Sequence, residues 1–247
     1  QGESGCEHRP AHGGQIPRAA QHTRCAPKEG VIIMKVLSRV VSYIFHPLLF
    51  PTYGALFILL ANPNMYGYFG DRVHIAWLIV VFALTFIFPA VWLLMMRRLE
   101  MIESFQLETA KERIVPFIAT ATFYLWATWM FKPSPNMTLP PNELIFFMMS
   151  GATISIFLGF FVNVFSKISL HAMGAGNFIG LLLPIIRVST LDLRMVLVGT
   201  IVLCGLIGTA RLLLKAHEPR EVYVGYFAGF TGQFIAFTFV PLLIVHG

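Results

Sequence analysis

Seven long stretches of apolar residues, separated by short polar loops, limit what this chain can fold into more than any other feature. They cover residues 36–61, 73–96, 114–131, 143–166, 168–187, 194–215 and 221–245. A helix needs roughly 20 apolar residues to cross about 30 Å of hydrocarbon, and lipid offers no partner to unpaired backbone groups. We therefore expect an all-α fold, a polytopic membrane helix bundle with about six to seven transmembrane helices.

The composition agrees with a membrane protein and argues against a nucleic-acid partner. Of the 247 residues, 56% are hydrophobic and 12% are charged, whereas soluble domains carry about 25% charged residues. The net charge is +6, but Lys and Arg lie mainly in the loops between apolar stretches, where lipid headgroups explain them. The three cysteines form no spacing typical of a disulfide framework or a zinc site. We expect the lipid bilayer as the partner, and no nucleic acid.

The first 33 residues differ from the rest of the chain. They are polar, rich in Gly, Pro, His and Gln, and show no hydrophobic periodicity. We expect residues 1–33 to be a disordered tail or a leader that is not native to the protein. Residues 34–247 are then expected to form a single transmembrane domain.

Proline and glycine mark two of the apolar stretches. The first contains Pro47 and Pro51, and because proline lacks a backbone N–H, we expect that helix to be kinked, broken or re-entrant. The fifth contains Gly174, Gly176 and Gly180. Small residues let membrane helices approach closely, so we expect tight helix packing there.

If all seven stretches cross the membrane, the second, fourth and sixth connecting loops lie on one face. The second loop contains Lys111 and Arg113, the fourth contains Ser169 and His171, and the sixth is the polar seam at 210–221. Polar groups that are far apart in sequence are therefore expected to meet at one membrane surface.

The seam contains a histidine between a guanidinium and a carboxylate. Pro219 favours the first turn of a helix, which places Glu221 in that turn and four residues from His217. Glu221 can then accept a hydrogen bond from one ring nitrogen and leave the other as a nucleophile or base. Arg211 suits a phosphate because its planar fork matches phosphate oxygens. The alternative is a salt-bridge cluster that anchors helix ends.

The other two loops add groups of the same kind. Ser169 at a helix start can help to bind an anion, His171 can donate a proton to a leaving oxygen, and Arg113 is a second guanidinium. Each also has a purely structural interpretation as a helix cap or membrane anchor. Together they suit phosphoryl transfer through a histidine, which needs no metal. Asp71 and Asp192 are the two aspartates of the chain, and they are expected on the opposite face.

These residues resemble the motifs of a known family. Arg211-x5-His217-x3-Glu221 resembles the third motif of the type 2 phosphatidic acid phosphatase (PAP2) superfamily. Ser-Leu-His at 169–171 is similar to its second motif, and Lys-Glu-Arg-Ile-Val-Pro at 111–116 resembles part of the first. The overall form is similar to divergent PAP2-like membrane proteins of bacteria.

The resemblance implies an enzyme and assigns roles to the residues. His217 would attack phosphorus and form a phosphohistidine, Glu221 would orient it, and His171 would protonate the leaving alcohol. The phosphate would be held by the other matching residues, Arg211, Ser169 and Arg113, with Lys111 in place of the lysine of the motif. It implies an integral membrane phosphatase acting on a lipid phosphate or isoprenoid diphosphate. The resemblance implies no metal or other cofactor, and it implies a location in the bacterial inner (cytoplasmic) membrane.

Two other functions remain open at this point. One is a lipid transporter, because polar residues within the apolar stretches can line a pathway; these are His46, Asn163, Asn177 and Gln233. The other is a non-catalytic membrane protein on the same scaffold, because Ala210 and Leu170 depart from the serine and glycine of the motifs. The positive-inside rule favours a cytoplasmic site, but phosphate-binding cations weaken that assignment, and the side of the membrane stays open.

Overall fold

The computed structural model describes residues 29–61, 71–102, 112–133, 143–189 and 191–245. Within these ranges 87% of the residues are helical and none are in strands. The α-helices are α1 Glu29–Ile44, α2 Phe50–Ala61, α3 Asp71–Phe82, α4 Phe88–Arg98, α5 Ile114–Met130, α6 Glu143–Phe165, α7 Leu170–Val188, α8 Arg194–Leu213 and α9 Pro219–Val245. The all-α prediction is confirmed.

Six helical segments of the described chain are long and apolar enough to cross a membrane. They are Glu29–Ala61, Arg72–Arg98, Glu143–Phe165, Leu170–Val188, Arg194–Leu213 and Pro219–Pro241. The remaining predicted stretch, the third, at 114–131, is the shorter helix α5, which has 17 residues. Large apolar side chains stay exposed along these helices, as on α8, where Met195 is 82% exposed. The protein is therefore a multi-pass integral membrane protein.

The first segment is broken at its prolines, as expected. His46 adopts an extended backbone conformation with ψ 136°, and a short 3-10 turn, Pro47–Leu49, leads into α2. Pro47 and Pro51 cannot donate the backbone hydrogen bonds that a continuous helix would require. The helix before the break begins at Glu29, so residues 29–33 of the expected tail belong to α1. Residues 1–28 lie outside the described ranges.

The second segment is continuous but contains a π-helical turn. This turn, Ala83–Ile87, joins α3 to α4 just before Pro89. The extra residue in the turn fits a proline that lacks an N–H at that point. Phe86 in this turn lies edge-on to His46, with ring centroids 6.2 Å apart. The π turn therefore packs against the break in the first segment.

Helices α7 and α9 pack parallel to each other at the centre of the bundle. Gly176 of α7 lies against Tyr226 of α9, and Gly180 lies one turn further along against Phe230. A Cβ at position 176 would clash with the Tyr226 carbonyl oxygen, so glycine permits this approach. The tight packing predicted at the fifth stretch is confirmed. Because the two helices run in the same direction, their N-terminal ends lie at the same end of the bundle.

Helix α8 runs back toward that same end and packs beside α7 and α1. The Tyr226 hydroxyl of α9 donates to the Cys204 carbonyl of α8, and Val41 of α1 packs against the apolar cluster that contains Ile207 of α8. The C-terminus of α8 therefore lies close to the N-termini of α7 and α9. It also lies close to the break between α1 and α2.

Candidate functional site

A tight turn after α8 brings His217 back toward the end of that helix. Lys215 has a left-handed conformation with φ 52°. Its N–H donates to Leu212 O at 2.9 Å, and the Ala216 N–H donates to Arg211 O at 3.2 Å. This pair of bonds is the Schellman motif, which satisfies the last carbonyls of a helix and reverses the chain. The chain reversal takes up the five residues between Arg211 and His217.

His217 and Glu221 form the expected hydrogen bond. His217 Nδ1 lies 2.6 Å from Glu221 Oε2, and the two side chains are 4% and 18% exposed. Helix α9 begins at Pro219 and Glu221 lies in its first turn, as predicted. The same oxygen accepts the Glu218 N–H at 3.4 Å, a capping interaction that holds the carboxylate in place. Nδ1–H donates to the carboxylate, and Nε2 carries the free lone pair.

The surroundings of His217 keep its imidazole neutral. Burial lowers the pKa of His217 to about 3, and the positive charges of Arg211, Arg113 and Lys167 add to the effect. Both influences disfavour a positive charge on the ring. At neutral pH the Nε2 lone pair is therefore available.

Arg113 connects the second loop to the fourth. Its side chain is buried, and Nη1 donates to the Ile168 carbonyl at 2.9 Å. Burial lowers the pKa of Arg113, while the carboxylates of Glu221 and Glu112 act in the opposite direction. An arginine pKa is so high that the group stays charged. Arg113 therefore places a permanent positive charge beside Ile168, in the loop that leads into the start of α7, where His171 lies.

Two further contacts connect the fourth loop to the sixth. Lys167 Nζ donates to the Ala216 carbonyl at 3.2 Å, and the Ser169 N–H donates to the Glu221 carbonyl, also at 3.2 Å. Described residues from all three regions that the sequence predicted to share one face thus meet at one end of the bundle; they are Arg113, residues 167–169 and residues 216–221.

Ser42 of α1 holds two of the expected site residues. His171 Nε2 donates to the Ser42 carbonyl at 3.1 Å, which leaves Nδ1 as the other ring nitrogen. Arg211 Nη1 donates to the Ser42 hydroxyl at 3.2 Å. Arg211 Nε is buried and has no partner among the described residues. A buried N–H without a partner is costly, so this atom marks a place where an acceptor would be stabilised.

The site opens into a cavity of about 940 Å³ that extends into the bundle. Five of the described lining residues are cationic and none is a carboxylate; the cations are Arg39, Arg113, Lys167, Arg211 and Lys215. Three histidines line the same cavity, His46, His171 and His217. Polar side chains at its inner end are Tyr124, Ser155 and Asn177, and apolar residues such as Phe117 and Ile156 fill the wall between. This arrangement suits an anionic group joined to an apolar chain.

Ser169, which was expected to bind phosphate, does not line the cavity. Ser169 is 0% exposed, and its hydroxyl accepts the Ala172 N–H at 3.4 Å as the N-cap of α7. The hydroxyl points into the helix start because the orphan N–H groups there need an acceptor. The structure therefore corrects the expected contact between this hydroxyl and the phosphate. Lys111 lies outside the described residues.

Sequence reasoning did not predict two residues of the site, Lys167 and Ser42. Lys167 lies in the same loop as Ser169, and that proximity was the only available signal. Ser42 carried no signal, because it lies 129 residues from His171. Of the polar residues considered for a transport path, His46 and Asn177 line the cavity, whereas Asn163 and Gln233 are buried in helix packing.

The described side chains include no group of three or more His, Cys, Asp or Glu residues that could hold a metal ion. The cations, histidines and one oriented carboxylate are thus the groups this site offers for chemistry. In comparisons with known proteins, no family model, no curated protein and no solved structure matches the chain.

Proposed function

We propose that the protein is an integral membrane phosphatase that hydrolyses a lipid phosphate or isoprenoid diphosphate through a phosphohistidine, without a metal. The observation that carries the proposal is the hydrogen bond between His217 Nδ1 and Glu221 Oε2 at 2.6 Å. It orients a neutral imidazole whose Nε2 lone pair is free. A base held by a carboxylate in this way is the arrangement of an activated nucleophile.

The phosphate would bind among the cations of the cavity. Arg211 offers Nε, the buried donor without a partner among the described atoms. Arg113 and Lys167 supply further positive charge, and their charges already act on His217. Guanidinium and ammonium groups stabilise the negative charge on the equatorial oxygens during phosphoryl transfer. Ser169 contributes by capping α7 and fixing its start, rather than by touching the phosphate.

In the first step His217 Nε2 attacks phosphorus. A P–N bond forms, the bond from phosphorus to the lipid oxygen breaks, and that oxygen leaves with the electron pair. His171 enters this step as the imidazolium, with one hydrogen on Nε2 donated to the Ser42 carbonyl and a second on Nδ1, which the negative charge of the bound phosphate favours. The Nδ1 proton passes to the leaving oxygen and produces the free alcohol or lipid monophosphate. Glu221 stabilises the positive charge that develops on the His217 ring.

In the second step water hydrolyses the phosphohistidine. His171 takes a proton from the water as its oxygen attacks phosphorus, the P–N bond breaks, and His217 recovers its lone pair. Inorganic phosphate leaves, and His171 is again protonated. The proton that His171 gave in the first step is thus returned in the second.

The position of the site suits a substrate that stays in the membrane. The cationic part of the cavity lies at the ends of α8 and α9, next to the loops. The remaining wall is formed by membrane-spanning helices, with apolar residues such as Phe50 and Met173. A lipid can therefore place its phosphate at the loops while its chain remains among the helices. Because the motifs resemble those of bacterial family members, we also propose the bacterial inner membrane as the location of the protein.

A second candidate is a lipid-handling or transport protein without phosphatase activity. The observation that favours it is the depth of the cavity, which reaches Ser155 and Asn177 inside the bundle. Buried polar groups of this kind also occur along transport pathways. On that interpretation His217 and the arginines would bind the phosphate without breaking a bond.

The test is phosphate release by the purified protein in detergent, with EDTA present. The substrates are phosphatidic acid, phosphatidylglycerophosphate and undecaprenyl diphosphate. We expect the wild type to release phosphate from at least one of them, and His217→Ala to reduce the rate by about 10³-fold or more. The control is Arg194→Ala, which removes an exposed cation at the other end of the bundle and should leave the rate unchanged.

A wild-type protein that is folded but inactive on all three lipids would sink the phosphatase proposal. Activity that survives His217→Ala would instead remove this histidine as the nucleophile. Binding of the same lipids without hydrolysis would favour the second candidate.

A further inference from the structure

His46 lies at the break between α1 and α2 and takes no part in the steps described above. It caps the 3-10 turn Pro47–Leu49, because its Nδ1 accepts the Leu48 N–H at 3.4 Å. A nitrogen that accepts a hydrogen bond carries no proton, so the neutral ring carries its hydrogen on Nε2. The cap therefore fixes the tautomer of His46 and makes Nε2–H a donor.

His46, which carries this donor, forms part of the wall of the same cavity. His46 is half-buried and lines the cavity with Arg211, His171 and His217. Its ring meets the His171 ring edge to face, with centroids 6.0 Å apart and planes at 74°. Phe86 packs edge-on from another side at 6.2 Å. Neighbours on two sides restrict the ring, and no described residue accepts a hydrogen bond from its Nε2.

His46 and His171 face each other, and they use different ring nitrogens for their hydrogen bonds to the backbone. His171 uses Nε2 to donate to Ser42 O, whereas His46 uses Nδ1 to cap the turn. The break in the helix thus supplies a backbone acceptor for one histidine and a backbone donor for the other. His46 keeps a donor for a ligand, and a phosphate in this cationic cavity is an acceptor that would satisfy it.

We propose that His46 is a phosphate-binding residue of this cavity, whose Nε2–H donates a hydrogen bond to a phosphoryl oxygen. The inference rests on the proposed function, because the phosphate is the group that His217 would attack. It goes beyond the motif residues, since His46 lies in none of the three loops and reaches the site from the first membrane segment.

The test uses two substitutions that separate the donor from the cap. His46→Asn keeps an acceptor near the position of Nδ1 and removes the donor at Nε2. His46→Gln keeps a donor near the position of Nε2 and removes the acceptor near Nδ1. Each full-length variant is measured for binding of inorganic phosphate by calorimetry, for kcat/KM on phosphatidic acid, and for thermal unfolding. His74→Asn is the control, because His74 does not line the cavity.

The expected result is that His46→Asn weakens phosphate binding and lowers kcat/KM by about tenfold or more, while His46→Gln stays near the wild type. The opposite order, with Gln impaired and Asn unchanged, would show a helix cap only and overturn the proposal. Equal losses in both variants, or no loss in either, would also overturn the proposal. If the wild type binds inorganic phosphate through His46 but hydrolyses no lipid, the proposed function fails and this inference holds. If it binds no phosphate, or hydrolyses lipid at a rate that His46→Asn does not change, this inference fails, while the proposed function is decided by lipid hydrolysis alone.

Discussion

The two ends of the bundle each carry a carboxylate beside a nitrogen group, but in very different surroundings. At the loop end, His217 and Glu221 are 2.6 Å apart and only 4% and 18% exposed. At the other end, Arg194 and Asp192 are 3.6 Å apart and 86% and 73% exposed. The first pair lies beside three cations and a deep cavity, and the second projects into solvent.

The difference shows why a pair of opposite charges in a sequence does not by itself indicate a site. Solvent screens the Asp192–Arg194 pair, and exposed pairs of this kind contribute about 0–1 kcal/mol. Burial removes that screening at His217, so neighbouring charges control its protonation and hold one tautomer. The capacity for chemistry therefore comes from the environment of the pair more than from its residue types.

The strongest way to test this contrast is to neutralise each carboxylate. Glu221→Gln keeps an acceptor for Nδ1–H but removes the charge that stabilises the phosphohistidine, so we expect phosphate release to fall by about 10²–10⁴-fold. Asp192→Asn should change neither activity nor the unfolding midpoint. Steady-state phosphate release from the best lipid substrate measures both variants. Losses of similar size at the two ends would contradict the contrast.

The next test exchanges the guanidinium of each end for an ammonium. Arg211→Lys retains the charge but loses Nε and the planar fork, so we expect kcat/KM to fall by about 10–10²-fold. Arg194→Lys, on the exposed pair, should have no effect. The measurement is kcat/KM on the same lipid. An unchanged value for Arg211→Lys would mean that only its charge matters.

A third test concerns the packing of α9 against α7 near the loop end. A Cβ at Gly229 of α9 would clash with backbone atoms of α7, the Met173 oxygen and the Asn177 nitrogen. Because backbone cannot move aside cheaply, Gly229→Ala should destabilise the fold by about 1–3 kcal/mol or more. Gly199→Ala on α8 meets nothing within 4 Å and should leave stability unchanged or slightly raise it. Thermal unfolding in detergent compares the two, and equal shifts would refute the packing argument.

The smallest expected effect is the pH behaviour of His217. Its pKa lies near 3 in the folded protein, against about 6.5 in an unfolded chain. The unfolded state therefore takes up a proton first, and the stability this group contributes is lost as the pH falls from about 6.5 toward 3. NMR of labelled histidine, assigned by difference with His217→Ala, should show no titration of this ring between about pH 8 and 4. A midpoint near 6.5 would show that the ring is not buried among cations.

Much of the fold follows from features that are local in sequence. Long apolar stretches require helices in lipid, Pro47 and Pro51 break the first of them, and Gly176 permits close packing in another. The start of the first helix does not follow from the sequence pattern, since α1 begins at Glu29, before the first methionine that follows the polar stretch. The π turn before Pro89 was not foreseen, because a single extra residue leaves the hydrophobic pattern almost unchanged.

In the candidate site too, some features could be predicted from local sequence and others could not. The His217–Glu221 bond could be predicted, because residues four apart at a helix start are neighbours by backbone geometry. The sequence could not show whether Ser169 caps a helix or binds phosphate, because both roles use the same residue type. Lys167 and Ser42 enter the site only through contacts with Ala216, His171 and Arg211.

The sequence by itself determined a helical membrane protein and a histidine paired with a carboxylate, because both depend on residues within a few turns of each other. The tertiary structure decided the rest. Ser42 reaches Arg211 across 169 residues, and no local pattern specifies such a contact. The parallel packing of α7 and α9 brings the loops together, buries His217 and encloses the cavity. Burial and the summed charge of distant residues set the protonation of His217, and these arise only when the chain is folded.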